Sequence, residues 1–378
     1  MDLAKIRDDR RALWVAAGAL VALRLAALLF GIAHLPDTGA GTGIGNDARR
    51  FHDIARAPGT AYRDFEVEVP PLALLTIETL DGPSGHDMAV RLAWFAFGCD
   101  LAAAACLAWG WGRVAAMRYL WVGAPLAIFI YFRLDMLSAL LTVAGLALVR
   151  RRNDRTGGAL LGAAVFAKVW PVLLLPVLAL RRRTSAMIAA AAVVAGGLVA
   201  WVSWAGAGGP GQVLTMRHAR GWAVSSPIGR IVSIATDAEP FRQSGAFRIG
   251  SAPGWARVGL GLTTVTLVTI AYLAARGSDA AEGVGAATAI ATLLVLSPLL
   301  SHQFISWLLP WVALSELRSQ RLWTLLAGAC ASAALLTASY DSLTAGRATV
   351  ALITLRDIAV ISVAVSGYRL LLRRPTTA

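Results

Sequence analysis

Apolar runs long enough to cross a ~30 Å hydrocarbon core as helix alternate along the chain with short basic turns and two long polar segments. The apolar pattern predicts helices over residues 12–35, 88–111, 115–132, 134–149, 186–205, 255–275, 281–300, 304–314, 322–339 and 350–372. The polar segments are 36–85 and 206–254. Within the first, Pro70-Pro71 opens a short apolar piece, residues 72–80, which is too short to span and is expected to lie at the interface or dip into the membrane. The helix at 186–205 is rich in Ala and Gly, which suits close helix packing in lipid.

One apolar run does not fit a single span. Residues 157–180 are flanked by basic clusters at 150–155 and 181–183, and the positive-inside bias draws both flanks to the cytoplasm. A broken hairpin of two short helices, with its tip near Lys168-Val169-Trp170-Pro171, satisfies both, because irregular backbone is tolerated at membrane depth where protein buries it or it lines a cavity. Both termini are then expected inside, and both long polar segments share the outer face. The whole chain, 1–378, reads as one all-α polytopic transmembrane bundle of roughly 10–12 membrane helices with no soluble module.

Composition supports this reading: 57% of residues are hydrophobic and only 15% charged. Lys and Arg outnumber Asp and Glu by 35 to 22, but the excess reads as a topology signal, and no basic patch on a soluble fold points to nucleic acid. Only Lys5 and Lys168 are lysines; the arginine bias points to a GC-rich bacterial source and a plasma (inner) membrane. The basic start, Lys5 to Arg11, precedes an apolar run too long for a signal-peptide core, so a retained first helix is expected. Cys99, Cys106 and Cys330 lie in apolar segments without CxxC spacing and read as core residues.

Polar residues then become informative. Asp47 follows the first helix, in Gly45-Asn46-Asp47-Ala48-Arg49-Arg50-Phe51, and reads as a general base or as a helix cap. Asp64, Glu66 and Glu68 cluster with Arg63 before the proline pair, while Asp53 is expected to face water. Lys168, inside an apolar run, reads as a phosphate contact or a snorkelling side chain. Arg24 and Asp100, both mid-helix, predict a buried ion pair. Arg133 with Asp135 is either a local pair or part of an outer cavity. Arg217-His218-Ala219-Arg220-Gly221-Trp222, with Ser225-Ser226, offers cations and a flat ring that stacks on sugars or anchors at the interface. His302 stands at a helix end without a second His at metal-ligand spacing, and no Ser-His-Asp set, P-loop or internal repeat occurs.

Four stretches occur in a recognisable order. They are Asp47 with Phe51 and then Gly59 to Ala73 (G-x-x-Y-R-D-F…V-P-P-L-A); Arg133-Leu134-Asp135 followed by Gly162, Lys168 and Pro171; Arg220-Gly221-Trp222 with Ser225 or Ser226; and Ser301-His302-Gln303-Phe304 with Trp307 and Pro310. Together they resemble the GT-C class of membrane glycosyltransferases, and within it glycosyltransferase family 87, the polyprenyl-phosphate-mannose-dependent mannosyltransferases. Three positions depart from the family pattern: Phe51 and Val69 stand where Tyr is usual, and His302 stands where Pro is common. These departures, with a chain short for the class, leave the sugar and acceptor open.

The resemblance implies a GT-C fold and an inverting transfer of a sugar, mannose in that family, from a polyprenyl-phosphate donor to a glycolipid or glycan acceptor on the extracytoplasmic face. It makes Asp47 the first choice of base and Asp64 the second. Arg63, Lys168 and Arg220 become phosphate contacts, His302 and Gln303 line the sugar pocket, and Glu66, Arg133 and Trp222 complete the substrate-binding set. No cofactor is required, and dependence on a divalent metal stays open. The alternative is a non-catalytic lipid-linked-sugar transporter or scaffold; a transporter is expected to carry an inverted repeat.

Overall fold

The computed structural model describes residues 10–35, 46–215, 219–243, 246–276, 279–315, 320–339 and 347–373. Arg217, His218, the turn around Asp341 and Arg374 lie outside the described residues. The protein is an all-α bundle. Its first half runs α1 (Arg10–Ala33), α2 (Asn46–Arg56), α3 (Pro71–Leu80), α4 (Gly85–Trp111), α5 (Arg113–Gly123), a 3-10 turn (Ala124–Leu126), α6 (Ala127–Ile130) and α7 (Asp135–Arg150). There follow α8 (Asp154–Ala167), a 3-10 turn (Trp170–Leu174), α9 (Leu175–Leu180), α10 (Thr184–Ala205), α11 (Gly208–Leu214), β1 (Trp222–Ala223), α12 (Pro227–Ala235), β2 (Phe241–Gln243) and β3 (Ala246–Ile249). The last third holds α13 (Gly254–Ala274), α14 (Val284–Leu296), a 3-10 segment (His302–Leu308), α15 (Leu309–Ala313), α16 (Gln320–Ser339) and α17 (Arg347–Leu372).

Among the described residues, six helical stretches are long and apolar enough to cross a membrane, and shorter apolar helices pack among them. This makes the chain a multi-pass membrane protein. Large apolar side chains such as Trp14, Ile188, Val199 and Val265 stay uncovered on α1, α10 and α13, as expected of faces turned to lipid tails. The run expected as one helix over 115–132 is interrupted: Pro125 cannot donate the next helical hydrogen bond, and a 3-10 turn joins α5 to α6. The second polar segment adds a three-stranded antiparallel sheet, in order β1-β3-β2, that the apolar pattern did not predict. Its strands are only two to four residues long, too short to show an alternation.

The broken hairpin is present. After α8 the chain leaves helical geometry at Lys168, turns through Trp170–Leu174 and continues as the six-residue α9. Its two basic flanks meet at one end of the bundle: Arg150 and Arg181 both reach Glu282 at 3.2 Å, and Arg183 approaches Asp154 at 3.8 Å. Glu282 also accepts a hydrogen bond from Trp111 Nε1 at 2.8 Å. Gly158 and Gly162 let α8 press against the α10 backbone, since a Cβ at Gly158 would lie 2.1 Å from the Ala186 carbonyl oxygen.

The two polar segments meet at the opposite end. Gln212, on α11, accepts from Val67 N–H at 3.0 Å and donates to Tyr62 O at 2.8 Å. In the middle of the bundle, Arg24 and Asp100 pair at 3.0 Å with both side chains fully buried, as their mid-helix positions predicted. Tyr119 and Tyr131 hydroxyls complete the carboxylate at 2.5 and 2.8 Å. Cys99, Cys106 and Cys330 are free thiols.

Candidate functional site

The hairpin tip, the start of α7 and the 302–308 segment converge on Asp135. This carboxylate lies in the first turn of α7, where the helix dipole favours an anion, and is 1% exposed. Its Oδ1 receives Trp307 Nε1–H at 2.6 Å and the Lys168 ammonium at 3.2 Å. Trp170 Nε1–H donates to Ser138 Oγ, one turn along α7, at 3.0 Å. Trp170 stacks on Trp307 at 5.6 Å between centroids, and Trp307 on Phe304 at 4.3 Å. Lys168 Nζ lies 5.4 Å from the Phe304 ring centre and 5.8 Å from that of Trp307. A buried carboxylate, an ammonium and a slab of aromatic faces therefore share one wall.

Beside it, Arg133 ion-pairs with Asp47, in the first turn of α2. Its guanidinium also sits 4.9 Å from the Phe129 ring centre. Burial lowers the Arg133 pKa to about 10, with Asp135 opposing the shift, so the guanidinium stays charged at neutral pH. The His302 ring also lies near Phe129, 6.3 Å away between centroids. Burial, then the charges of Arg356 and Arg133, push His302 down to about 3, which keeps it neutral. Gln303 is buried; its Oε1 accepts from Ser301 Oγ and its carbonyl from Ser306 Oγ at 2.6 Å.

Of the residues expected to act, Asp47, Arg133, Lys168, His302 and Gln303 come from segments that meet at this cluster. Arg133 and Asp135 are not a closed local pair: the first turns to Asp47 and the second to Lys168 and Trp307.

The carboxylates before the proline pair are arranged differently. Asp64 closes a turn, accepting Thr60 N–H at 2.5 Å while its own N–H bonds Thr60 O at 2.8 Å. Glu68 pairs with Arg50. Arg63 and Glu66 are exposed, and Arg63 reaches Ser203 O at 3.4 Å. Asp53 is exposed, as expected. Tyr62 holds a left-handed backbone, φ 67°, secured by its hydroxyl on Val69 O at 2.6 Å and by Gln212 on its carbonyl. Trp201 and Trp204 pack against Tyr62 and continue into an apolar groove of about 580 Å³ between α3, α8 and α10. The groove is lined by Pro71, Leu72, Phe166 and Gly197 among others.

In the second segment the Arg220 side chain is exposed, and its backbone is fixed by Gln243, Ala252 and Arg257. Trp222 is buried against Ile249 and Ala252 in the small sheet, away from the stacked tryptophans. Ser226 caps α12 through Gly229 N–H. Sequence reasoning missed Arg356 and Asp357, which join this region to His302; the signal was available, because adjacent opposite charges interrupt an otherwise apolar helix. Among the described residues, no group of three or more His, Cys, Asp or Glu side chains assembles that could hold a metal ion. A scan against models of known protein families finds no match, and a search of characterised proteins finds none either.

Proposed function

We propose that this protein is an inverting glycosyltransferase of the GT-C type, which moves a sugar, mannose by resemblance, from a polyprenyl phosphate to a glycolipid or glycan acceptor. The observation that carries the reading is the meeting of Asp47–Arg133, Asp135–Lys168 and the Trp170–Trp307–Phe304 stack at one end of a membrane bundle. A soluble enzyme has no reason to keep cations at membrane depth; a site for an anionic lipid does. Stacked aromatic faces suit a sugar ring, and the apolar groove beside α8 suits a prenyl chain. The site lies at the end away from the basic clusters, which fits an extracytoplasmic position in a bacterial plasma membrane.

In the proposed step Asp47 takes the proton of the acceptor hydroxyl. The hydroxyl oxygen bonds the anomeric carbon from the side opposite the phosphate. The anomeric carbon–oxygen bond breaks, and its electron pair leaves with the polyprenyl phosphate. The phosphate gains charge as the bond breaks, and the preorganised Arg133 and Lys168 stabilise it. Asp64, tied into its turn, takes second place as base. Arg63 and Arg220, both exposed, are available to the phosphate, with Glu66 as an outer contact, whereas Trp222, buried in the small sheet, supports the Arg220 loop and does not face the ligand. The step needs no cofactor.

The test is incubation of the purified protein in lipid with labelled polyprenyl-phosphate-mannose and a panel of glycolipid acceptors. Labelled glycolipid with inverted anomeric configuration supports the reading. Donor binding without turnover on any acceptor supports a carrier or scaffold and overturns it.

A further inference from the structure

Arg356 is fully buried within the 26-residue α17 and engages all three nitrogens of its guanidinium. Its Nε and one terminal nitrogen hold Asp357 Oδ1 at 3.0 and 2.6 Å, and the same terminal nitrogen donates to Ser225 O. The other terminal nitrogen lies 2.7 Å from His302 Nδ1. A guanidinium donates and never accepts, so at this distance Nδ1 must present its lone pair. The ring proton is therefore on Nε2. An imidazolium would set N–H against N–H, and the charges facing the pair, Arg133 on His302 and Arg230 on Arg356, oppose a further cation; Asp357 answers Arg356, and Asp47 and Asp135 answer Arg133. Burial acts in the same direction.

We infer that Arg356 is a positioning residue that locks His302 as its neutral Nε2–H tautomer, so that the ring acts as a fixed hydrogen-bond donor to an anionic oxygen of the bound ligand and not as a proton carrier. Among the described residues no hydrogen-bond partner meets Nε2, and His302 keeps partial exposure. Phe129 contacts both the His302 ring and Arg133, which sets this donor beside the guanidinium. One buried arginine thus ties α17, the Ser225 loop and the 302–308 segment into a single donor wall. That the oxygen belongs to a phosphate rests on the function proposed above; the tautomer does not.

The experiment uses the full chain in lipid nanodiscs with nitrogen-15 histidine, His302 being assigned by the resonance lost in His302→Gln. The expected spectrum shows an Nε2–H, Nδ1-bare ring that does not titrate between about pH 5 and 8, and farnesyl phosphate shifts the Nε2 resonance. Arg356→Met is expected to release the ring into mixed tautomers that titrate in that range, and Arg356→Lys, which keeps a donor, to restore the lock. In the sugar-transfer assay His302→Gln, whose amide can donate near the Nε2 position, loses less turnover than His302→Asn. His302→Asn, too short to do so, loses about 10–100-fold, the worth of one hydrogen bond to a charged group. A wild-type ring that titrates near its ordinary value, or carries its proton on Nδ1, overturns the inference whether or not sugar is transferred. An Nε2 resonance unmoved at millimolar farnesyl phosphate overturns the ligand role alone. No transfer with a locked ring sinks the enzyme reading and leaves the lock standing.

Discussion

Replacing Lys168 by Met tests whether the hairpin tip is held by charge. At 3.2 Å the Lys168–Asp135 attraction is worth about 5 kcal/mol at an effective dielectric of about 20. Desolvation and screening reduce that figure, because water reaches an ammonium that is 24% exposed. The two partners are not equivalent. Asp135 is sealed in, and without Lys168 only Trp307 Nε1–H, among the described residues, remains on its Oδ1. Lys168 without Asp135 can still turn to water. Lys168→Met should therefore cost about 3 kcal/mol, the low end for breaking a buried pair, and Asp135→Asn only about 1–2 kcal/mol, the worth of a weakened hydrogen bond. The double variant should be no less stable than Lys168→Met alone. Reversible unfolding in detergent, followed by circular dichroism, measures all three. Additive losses within about 0.5 kcal/mol, or a larger loss for Asp135→Asn than for Lys168→Met, would refute the pairing as the tip's anchor.

Three further outcomes follow from the geometry. Asp100→Leu should destabilise by about 3–5 kcal/mol because it strands Arg24, whereas Asp100→Leu with Arg24→Leu should recover most of that loss in the same unfolding assay. Gly158→Ala should push α8 off α10, where the Ala186 carbonyl leaves no room, and expose the 150–183 region to protease that spares the native protein. Asp81 is held below its ordinary pKa: burial opposes its charge, but His52, the Gly82 N–H and Arg56 outweigh it. Its contribution is therefore present above the unfolded-state value of about 3.9 and lost as pH falls through the folded one, so amide exchange in α2 should rise in acid, and Asp81→Asn should flatten that response.

The helical frame was legible because lipid imposes one rule on every span: its backbone must bond internally and its surface must be apolar. The helix 254–274 and the helix 347–372 could be read directly from that rule. The broken hairpin was legible for a different reason, the arginines on both of its flanks. The small sheet was not, because strands this short leave no periodicity, and the break at Pro125 was hidden inside a run that stays apolar throughout. At the site, Lys168 and Asp47 stood out as charges in unusual company, and the structure joins each to a partner. Which partner could not be read: Arg133 is two residues from Asp135 in sequence yet pairs with Asp47 across the fold. The turn that Asp64 closes on Thr60 was not legible either, since a carboxylate in a polar cluster looks the same in sequence whether it faces a ligand or closes a turn.

The most direct measurement of the central claim compares wild type with Asp47→Asn in the transfer of labelled mannose from a polyprenyl phosphate, with donor binding and thermal stability followed in parallel. Loss of a general base should lower turnover by at least ~10²–10⁴-fold while donor affinity and folding stay near the wild-type values. Near-normal turnover by Asp47→Asn together with a dead Asp64→Asn would move the base to Asp64, and full activity in both variants would contradict the reading of this loop as catalytic.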